Sequence, residues 1–167
     1  MGKHSIEQII QALNDSRIRY LIVGGFAVVA HGYVRFTADL DLILAMDSQN
    51  LSATVAALSA LNYRPRVPVA FEQFIHPEDR SRWIQEKGLT VFSLYSPDHP
   101  LTEIDLFVDP PMDFDAAYAS AVRVDIGCGT QATVCSIDNL IDLKNKAGRP
   151  QDLDDIAHLE KLKGSRP

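Results

Sequence analysis

Ile6, Ile9, Ile10 and Leu13 recur at three- and four-residue intervals, which predicts a helix with one apolar face, stopped by Asn14-Asp15-Ser16. Tyr20-Leu21-Ile22-Val23 then reads as a short strand ended by Gly24-Gly25, and Phe26 to Ala30 as a short helix closed by Gly32. Asp39-Leu40-Asp41-Leu42 alternates before Ile43-Leu44, so a strand here sets both carboxylates on one face and the leucines on the other. Ser48 is the expected cap of a helix that runs to Leu61 on Leu51, Val55 and Leu58, and Pro65 and Pro68 open an irregular stretch. Leu89–Tyr95 and Ile104–Val108 are strand candidates that pair as a hairpin around the loop Ser96-Pro97-Asp98-His99-Pro100. Val122–Ile126 and Thr130–Val134 form a small excursion, Ser136 caps a helix carrying Leu140, Ile141 and Leu143, and a last helix follows Pro150.

This segmentation mixes helices and strands in an α/β (α+β) arrangement, and at 167 residues one domain spanning 1–167 is expected. Its core is placed at about 18–110 and a helical C-terminal segment at about 136–163. Sixteen basic against 22 acidic residues give a net charge of −6, which excludes a protein that holds nucleic acid by bulk positive charge. Cys128 and Cys135 lack CxxC spacing, so they are read as two partly buried thiols and not as a disulfide framework or zinc site. Met1-Gly2 opens directly into the first amphipathic pattern, and Ile6 stands where an acylation signal wants Ser or Thr. The most apolar run, Tyr20 to Tyr33, is broken by Gly24, Gly25, His31 and Gly32, so no membrane span is expected and cytoplasmic localisation follows.

The candidate chemistry lies in Gly24-Gly25, Asp39-Leu40-Asp41 and Asp105, all at or within predicted strands. Paired glycines alone mark a turn, and an Asp-x-Asp pair alone is a solvated strand face; their order and spacing carry the signal. Carboxylates two apart on a strand lie roughly 6–7 Å from one another on one side, and an adjacent strand can bring a third alongside. Three such groups suit magnesium, which keeps waters and phosphate oxygens in its remaining positions, and two ions together clamp an in-line phosphoryl displacement. Gly24 and Gly25 let backbone approach a triphosphate where a Cβ would intrude.

Val23-Gly24-Gly25 followed by Arg35-Phe36-Thr37-Ala38-Asp39-Leu40-Asp41-Leu42 resembles the signature of the polymerase-β-like nucleotidyltransferase superfamily. The form is most similar to small bacterial proteins related to the AbiEii and MenA toxins and to the DUF6036 group. Leu143-Lys144-Asn145-Lys146-Ala147-Gly148-Arg149-Pro150-Gln151-Asp152 with Asp154-Asp155 resembles that branch's downstream Lys, Ala, Arg, Asp pattern. Tyr63 to Gly88 and Pro110 to Gly129 match neither block. The resemblance implies a polymerase-β-like core, a mixed sheet with helices packed on one side and a helical C-terminal segment. It also implies that Asp39, Asp41 and Asp105 ligate magnesium, two ions in all, and that Gly24 and Gly25 contact the NTP triphosphate. Asp105 would also help to activate the acceptor hydroxyl. Lys144 is the first cationic supplement expected in the site, and Arg35 and Thr37, of types the family often carries there, join the nucleotide-binding set.

The activity so implied is transfer of an NMP from an NTP to a hydroxyl with release of pyrophosphate. A tRNA or protein acceptor and a cognate antitoxin would be the partners in a toxin–antitoxin setting. Antibiotic modification of the aminoglycoside or lincosamide type is the second reading, and a non-catalytic nucleotide- or partner-binding domain, such as an antitoxin, is the third. Arg35 is equally a phosphate contact or a partner for a site carboxylate, and Asp152 suits the first turn of the helix that Pro150 opens. His31 reads as a packed or capping histidine, and Glu103 and Asp109 share strand parity with Asp105. Arg64, Arg66, Arg80, Arg82 and Lys87, interleaved with Phe71, Phe74 and Trp83, have the composition of an RNA-gripping surface, but Glu72, Glu78, Asp79 and Glu86 nearly cancel the charge, which favours an ordinary solvated surface with aromatic packing.

Overall fold

The computed structural model describes residues 3–165, so Met1 and Gly2, read above for an acylation signal, lie outside the described residues. In chain order the elements are α1 (Lys3–Asp15), β1 (Tyr20–Val23), α2 (Gly24–Ala30), β2 (Asp39–Leu44), α3 (Ser48–Ala60) and β3 (Arg64–Pro65). A 3₁₀ turn (Phe71–Ile75), α4 (Pro77–Lys87), β4 (Val91–Tyr95), β5 (Glu103–Phe107) and α5 (Phe114–Ala119) follow. The chain then forms β6 (Val122–Asp125), β7 (Gln131–Val134), α6 (Ile137–Ala147) and α7 (Pro150–Gly164).

The strands make one mixed sheet in the order β3-β4-β5-β2-β1-β7-β6. The hairpin expected between β4 and β5 is present and antiparallel, while β5 lies parallel to β2 and β2 antiparallel to β1. The excursion expected at 122–134 is a hairpin whose inner strand, β7, continues the sheet parallel to β1.

Alternation along the strands splits the sheet into two unlike faces. Leu40 and Leu42 sit opposite Ile104 and Leu106, which sit opposite Leu94 and Phe92, and all six are buried. Phe92 is stacked on Trp83 at 5.1 Å between centroids and lies 5.2 Å from Phe74 and 6.1 Å from Phe71, so the 3₁₀ turn and α4 cover this face. Here α3 packs on α1 and on the 3₁₀ turn. The other face holds the acidic positions, with α2 against β1, β2 and α6, and α6 against α7.

This packing agrees with the solvated surface and packed aromatics expected of residues 63–88. Phe71, Phe74 and Trp83 are core residues, and Arg80 is buried with its guanidinium donating to the Phe74 and Ile75 carbonyls at 2.6 and 2.9 Å. Arg82 pairs with Asp79 one turn away. An apolar sheet face has to be covered, and this segment supplies the cover, so its aromatics are not available to stack on bases. The helix α4 itself was not anticipated, because its sequence is too polar to show apolar periodicity; Pro77 at its start and Gly88 at its left-handed C-cap (φ +60°) mark it instead.

Two smaller differences concern caps and thiols. The N-cap of α3 is Asp47, whose carboxylate accepts from Asn50 N–H at 2.9 Å, one residue ahead of the expected Ser48. Cys135 is buried while Cys128 is exposed, so the two thiols do not share the partly buried environment expected of them.

Candidate active site

A row of residues crosses four strands on the acidic face. Val23 lies opposite Asp41, Asp41 opposite Asp105 and Asp105 opposite Ser93, and one step along the strands Asp39 lies opposite Glu103. Because β2 and β5 run parallel and in this register, Asp39, Asp41 and Asp105 share one cleft of about 640 Å³. Gly24, Gly25, Arg35, Thr37, Lys144, Arg149 and Asp152 also line it. Thus the eight residues singled out from the sequence, three acids, two glycines, Arg35, Thr37 and Lys144, come together at one place.

The glycines are needed by the site's own side chains. Gly24 has φ +64°, and a Cβ there would stand 1.9 Å from an Asp41 carboxylate oxygen. A Cβ on Gly25 would stand 2.6 Å from Thr37 Oγ1 and 2.7 Å from Arg35 Nη2. The turn between β1 and α2 therefore lets Asp41, Thr37 and Arg35 close against backbone.

Burial raises the pKa of Asp41 from 3.8 to about 7, aided by the neighbouring charges of Asp105 and Asp39 and opposed by Arg149 and Lys144. Asp39 is also raised, by desolvation first and then by Asp105 and Glu103. These hard oxygen donors repel one another in a partly desolvated cleft, a situation that a divalent cation relieves, so the donor set fits magnesium. Among the described residues no group of three or more His, Cys, Asp or Glu side chains stands in an arrangement that could hold a metal ion.

A chain of ion pairs backs the cleft. Lys144 is only 4% exposed and donates to Asp155 at 2.7 Å and to Asp152 at 3.2 Å. Asp155, fully buried, also takes Arg35, with Nη2 donating at 3.1 Å and Nε at 3.0 Å as an ion pair outside hydrogen-bond alignment. Arg35 Nη1 donates to the Phe36 carbonyl at 2.9 Å, which ties the segment leading into β2 to α7. Asp152 accepts from the Arg149 backbone N–H at 3.1 Å and its guanidinium at 2.8 Å. Burial alone would raise Asp152, but the hydrogen bonds from Arg149 and Lys144 outweigh it and hold the carboxyl below its ordinary range.

Arg35 thus pairs with a carboxylate of α7 and not with one of the three strand acids, while its guanidinium still rests against Gly25. Asp155 was given no role from the sequence; its spacing of three from Asp152 on one helix face was the available signal. Glu103 faces the cleft side but is held by Arg66, Nε to Oε2 at 2.8 Å with a second contact through Nη2. Asp109 lies beyond the end of β5. His31 is buried at the C-cap of α2 and lies 2.7 Å from the Cys135 carbonyl through Nε2, in keeping with a packed histidine.

The solved structures that this chain superposes on include nucleotidyltransferases. This chain has the nucleotidyltransferase fold. The lincosamide antibiotic adenylyltransferase LnuA, solved with lincomycin, superposes with a TM-score of 0.64 at 14% identity, covering 97% of this chain and 98% of that one. ANT(2")-Ia in complex with adenylyl-2"-tobramycin gives 0.59 at 17% identity over 96% and 92%. An antigenic nucleotidyltransferase-like protein from Paracoccidioides brasiliensis gives 0.61 at 18% identity over 96% and 75%. No protein-family profile matches the sequence, and no curated protein matches it. Among the described residues no helix is long and apolar enough to cross a membrane.

Proposed function

We propose that this protein is a magnesium-dependent nucleotidyltransferase that moves an NMP from an NTP to an acceptor hydroxyl and releases pyrophosphate. The observation that carries the reading is the shared cleft of Asp39, Asp41 and Asp105, walled on one side by Arg35, Lys144 and Arg149. Asp39, Asp41 and Asp105 would hold the magnesium, which supplies positive charge to the phosphates and to the attacking and leaving oxygens. Arg35 and Arg149 offer guanidinium donors to the β- and γ-phosphates, and Lys144 adds a fixed positive field from behind. Thr37, against Gly25, offers a hydroxyl donor at the same edge. Asp105, in the same cleft, would take the acceptor proton.

The protein partners stay within this reading. The sequence blocks around Gly24-Gly25 and Lys144 favour the toxin-like branch, with a tRNA or protein acceptor and a cognate antitoxin. The likeness to LnuA and to ANT(2")-Ia extends to antibiotic-modifying enzymes and supports a small-molecule acceptor as the alternative. Intact strand acids weigh against a non-catalytic domain, because clustered, partly buried carboxylates are costly to keep without a cation.

The test is thermal stability with each of the four NTPs, with and without magnesium, for wild type and Asp41→Asn. A nucleotide at a hundred times its Kd stabilises by about 2.7 kcal/mol, a Tm rise of about 5–10 °C. The expected result is a magnesium-dependent rise in wild type that the variant loses. No rise with any nucleotide would overturn the reading.

A further inference from the structure

Two cations of the cleft hang from one carboxylate behind it. Arg35 enters from the segment before β2 and Lys144 from α6, and both line the cleft, whereas Asp155 on α7 stands behind them and does not line it. The Asp155 side chain is fully buried. Its Oδ2 accepts from Lys144 Nζ at 2.7 Å and from Arg35 Nη2 at 3.1 Å. Its Oδ1 stands 3.0 Å from Arg35 Nε and neither of these two atoms finds a hydrogen bond, so the carboxylate faces the Nε–Nη2 edge of the guanidinium. Three segments far apart in the sequence are tied at one buried group.

The tie sets the direction of Arg35. The Phe36 carbonyl takes a hydrogen from Nη1 at 2.9 Å, and Asp155 occupies the Nε–Nη2 edge. Each terminal nitrogen keeps one further hydrogen. Nη2 also lies against the glycine turn, where a Cβ on Gly25 would stand 2.7 Å from it. A guanidinium is planar, so holding one edge orients the other. Lys144 has no such plane, but its ammonium is confined by bonds to both Asp152 and Asp155. A buried ion pair adds little stability over apolar side chains of the same volume, so stability alone does not account for this cluster at the cleft wall.

We propose that Asp155 is a positioning residue for the nucleotide: it touches no phosphate, and it sets Arg35 and Lys144 in the places from which they act on the triphosphate. The inference rests on the nucleotidyltransferase reading above and adds a residue of α7 that works only through two others. Asparagine in its place has the same shape but a single acceptor oxygen for two cations, and its amide hydrogens oppose both. The guanidinium then loses the contact that aims it, and a misplacement of about 1 Å is enough to cost on the order of a hundredfold in rate. A carboxylate that only competed with phosphate for Arg35 would act in the opposite sense, since its removal would free the cation and tighten binding.

The experiment is a calorimetric titration of the full chain with magnesium and each of ATP, GTP, CTP and UTP. The tightest of the four is then carried to the variants, at a temperature where circular dichroism shows each one folded. Asp155→Asn and Arg35→Met are each expected to weaken binding about tenfold or more. The double variant is expected to fall short of the product of the single losses by about fivefold or more, because one residue acts in part through the other. Tyr33→Phe removes the 3.0 Å bond from Tyr33 to Asp154, which joins the same segment to α7, and should stay within about twofold of wild type. Where Asp155→Asn does not fold, Arg35→Lys decides: lysine keeps the charge and the pairing with Asp155 but has no second edge, so a loss of about tenfold is expected and wild-type affinity overturns the proposal. Asp155→Asn binding as wild type or tighter, single losses that simply multiply, or an equal loss in Tyr33→Phe overturns it as well. A wild type that binds none of the four nucleotides overturns the transfer reading itself, before any variant is compared.

Discussion

Removing the charge of Asp41 should stabilise the metal-free protein at high pH. Its pKa is raised from 3.8 to about 7, a difference that corresponds to about 4 kcal/mol. The sign follows from proton counts: between these values the folded state keeps a proton that the unfolded state has lost, so stability falls as pH rises through this window and the penalty is complete above about 7. Solvent reaches Asp41 through the cleft, and halving the figure for that screening leaves about 2 kcal/mol at pH 8, less than half of it already present at pH 5. Asp41→Asn carries no such penalty. Thermal melts in EDTA should therefore show the variant about 4–8 °C above wild type at pH 8, with the gap shrinking as pH falls to 5. Magnesium added at pH 8 should raise the wild type and leave the variant unmoved. An equal gap at both pH values, or a variant less stable than wild type at pH 8, would refute this account of the cleft.

Gly24→Ala places a Cβ where an Asp41 oxygen already lies, at a left-handed backbone position; nucleotide-dependent stabilisation should be lost and urea unfolding should show a cost of about 1–3 kcal/mol. Lys144→Met leaves Asp152 and Asp155 buried with one cation fewer between them, so unfolding should become easier by about 3–5 kcal/mol, a loss read in urea titration with no nucleotide present. Burial pushes the Cys135 thiol up to about 12 while Cys128 is exposed, so a chromogenic disulfide reagent at pH 8 should titrate one thiol in the folded protein and two in denaturant. Two fast thiols in the folded state would contradict the packing of Cys135.

What the sequence determined by itself was local. The alternation in Asp39-Leu40-Asp41-Leu42 settles which side chains share a face whatever the strand pairs with, and the three- and four-residue spacing of Ile6, Ile9, Ile10 and Leu13 does the same for a helix. Hence most elements, the glycine turn after β1 and the acids of β2 were legible. The tertiary structure decided what depends on partners distant in the chain. Only the parallel pairing of β5 with β2 puts Asp105 in register with Asp41 and raises Asp41 by burial among like charges. Only the need to cover Phe92 and its neighbours draws Phe71, Phe74 and Trp83 inward, while Arg64, Arg66, Arg82 and Lys87 stay exposed. Arg35 could meet a phosphate or a carboxylate as far as its own neighbours say, and it is Asp155, 120 positions away on α7, that holds it. Periodicity follows from backbone geometry one residue at a time, whereas register, burial of a polar segment and the pairing of charges are set by contacts that form only when the whole chain has packed.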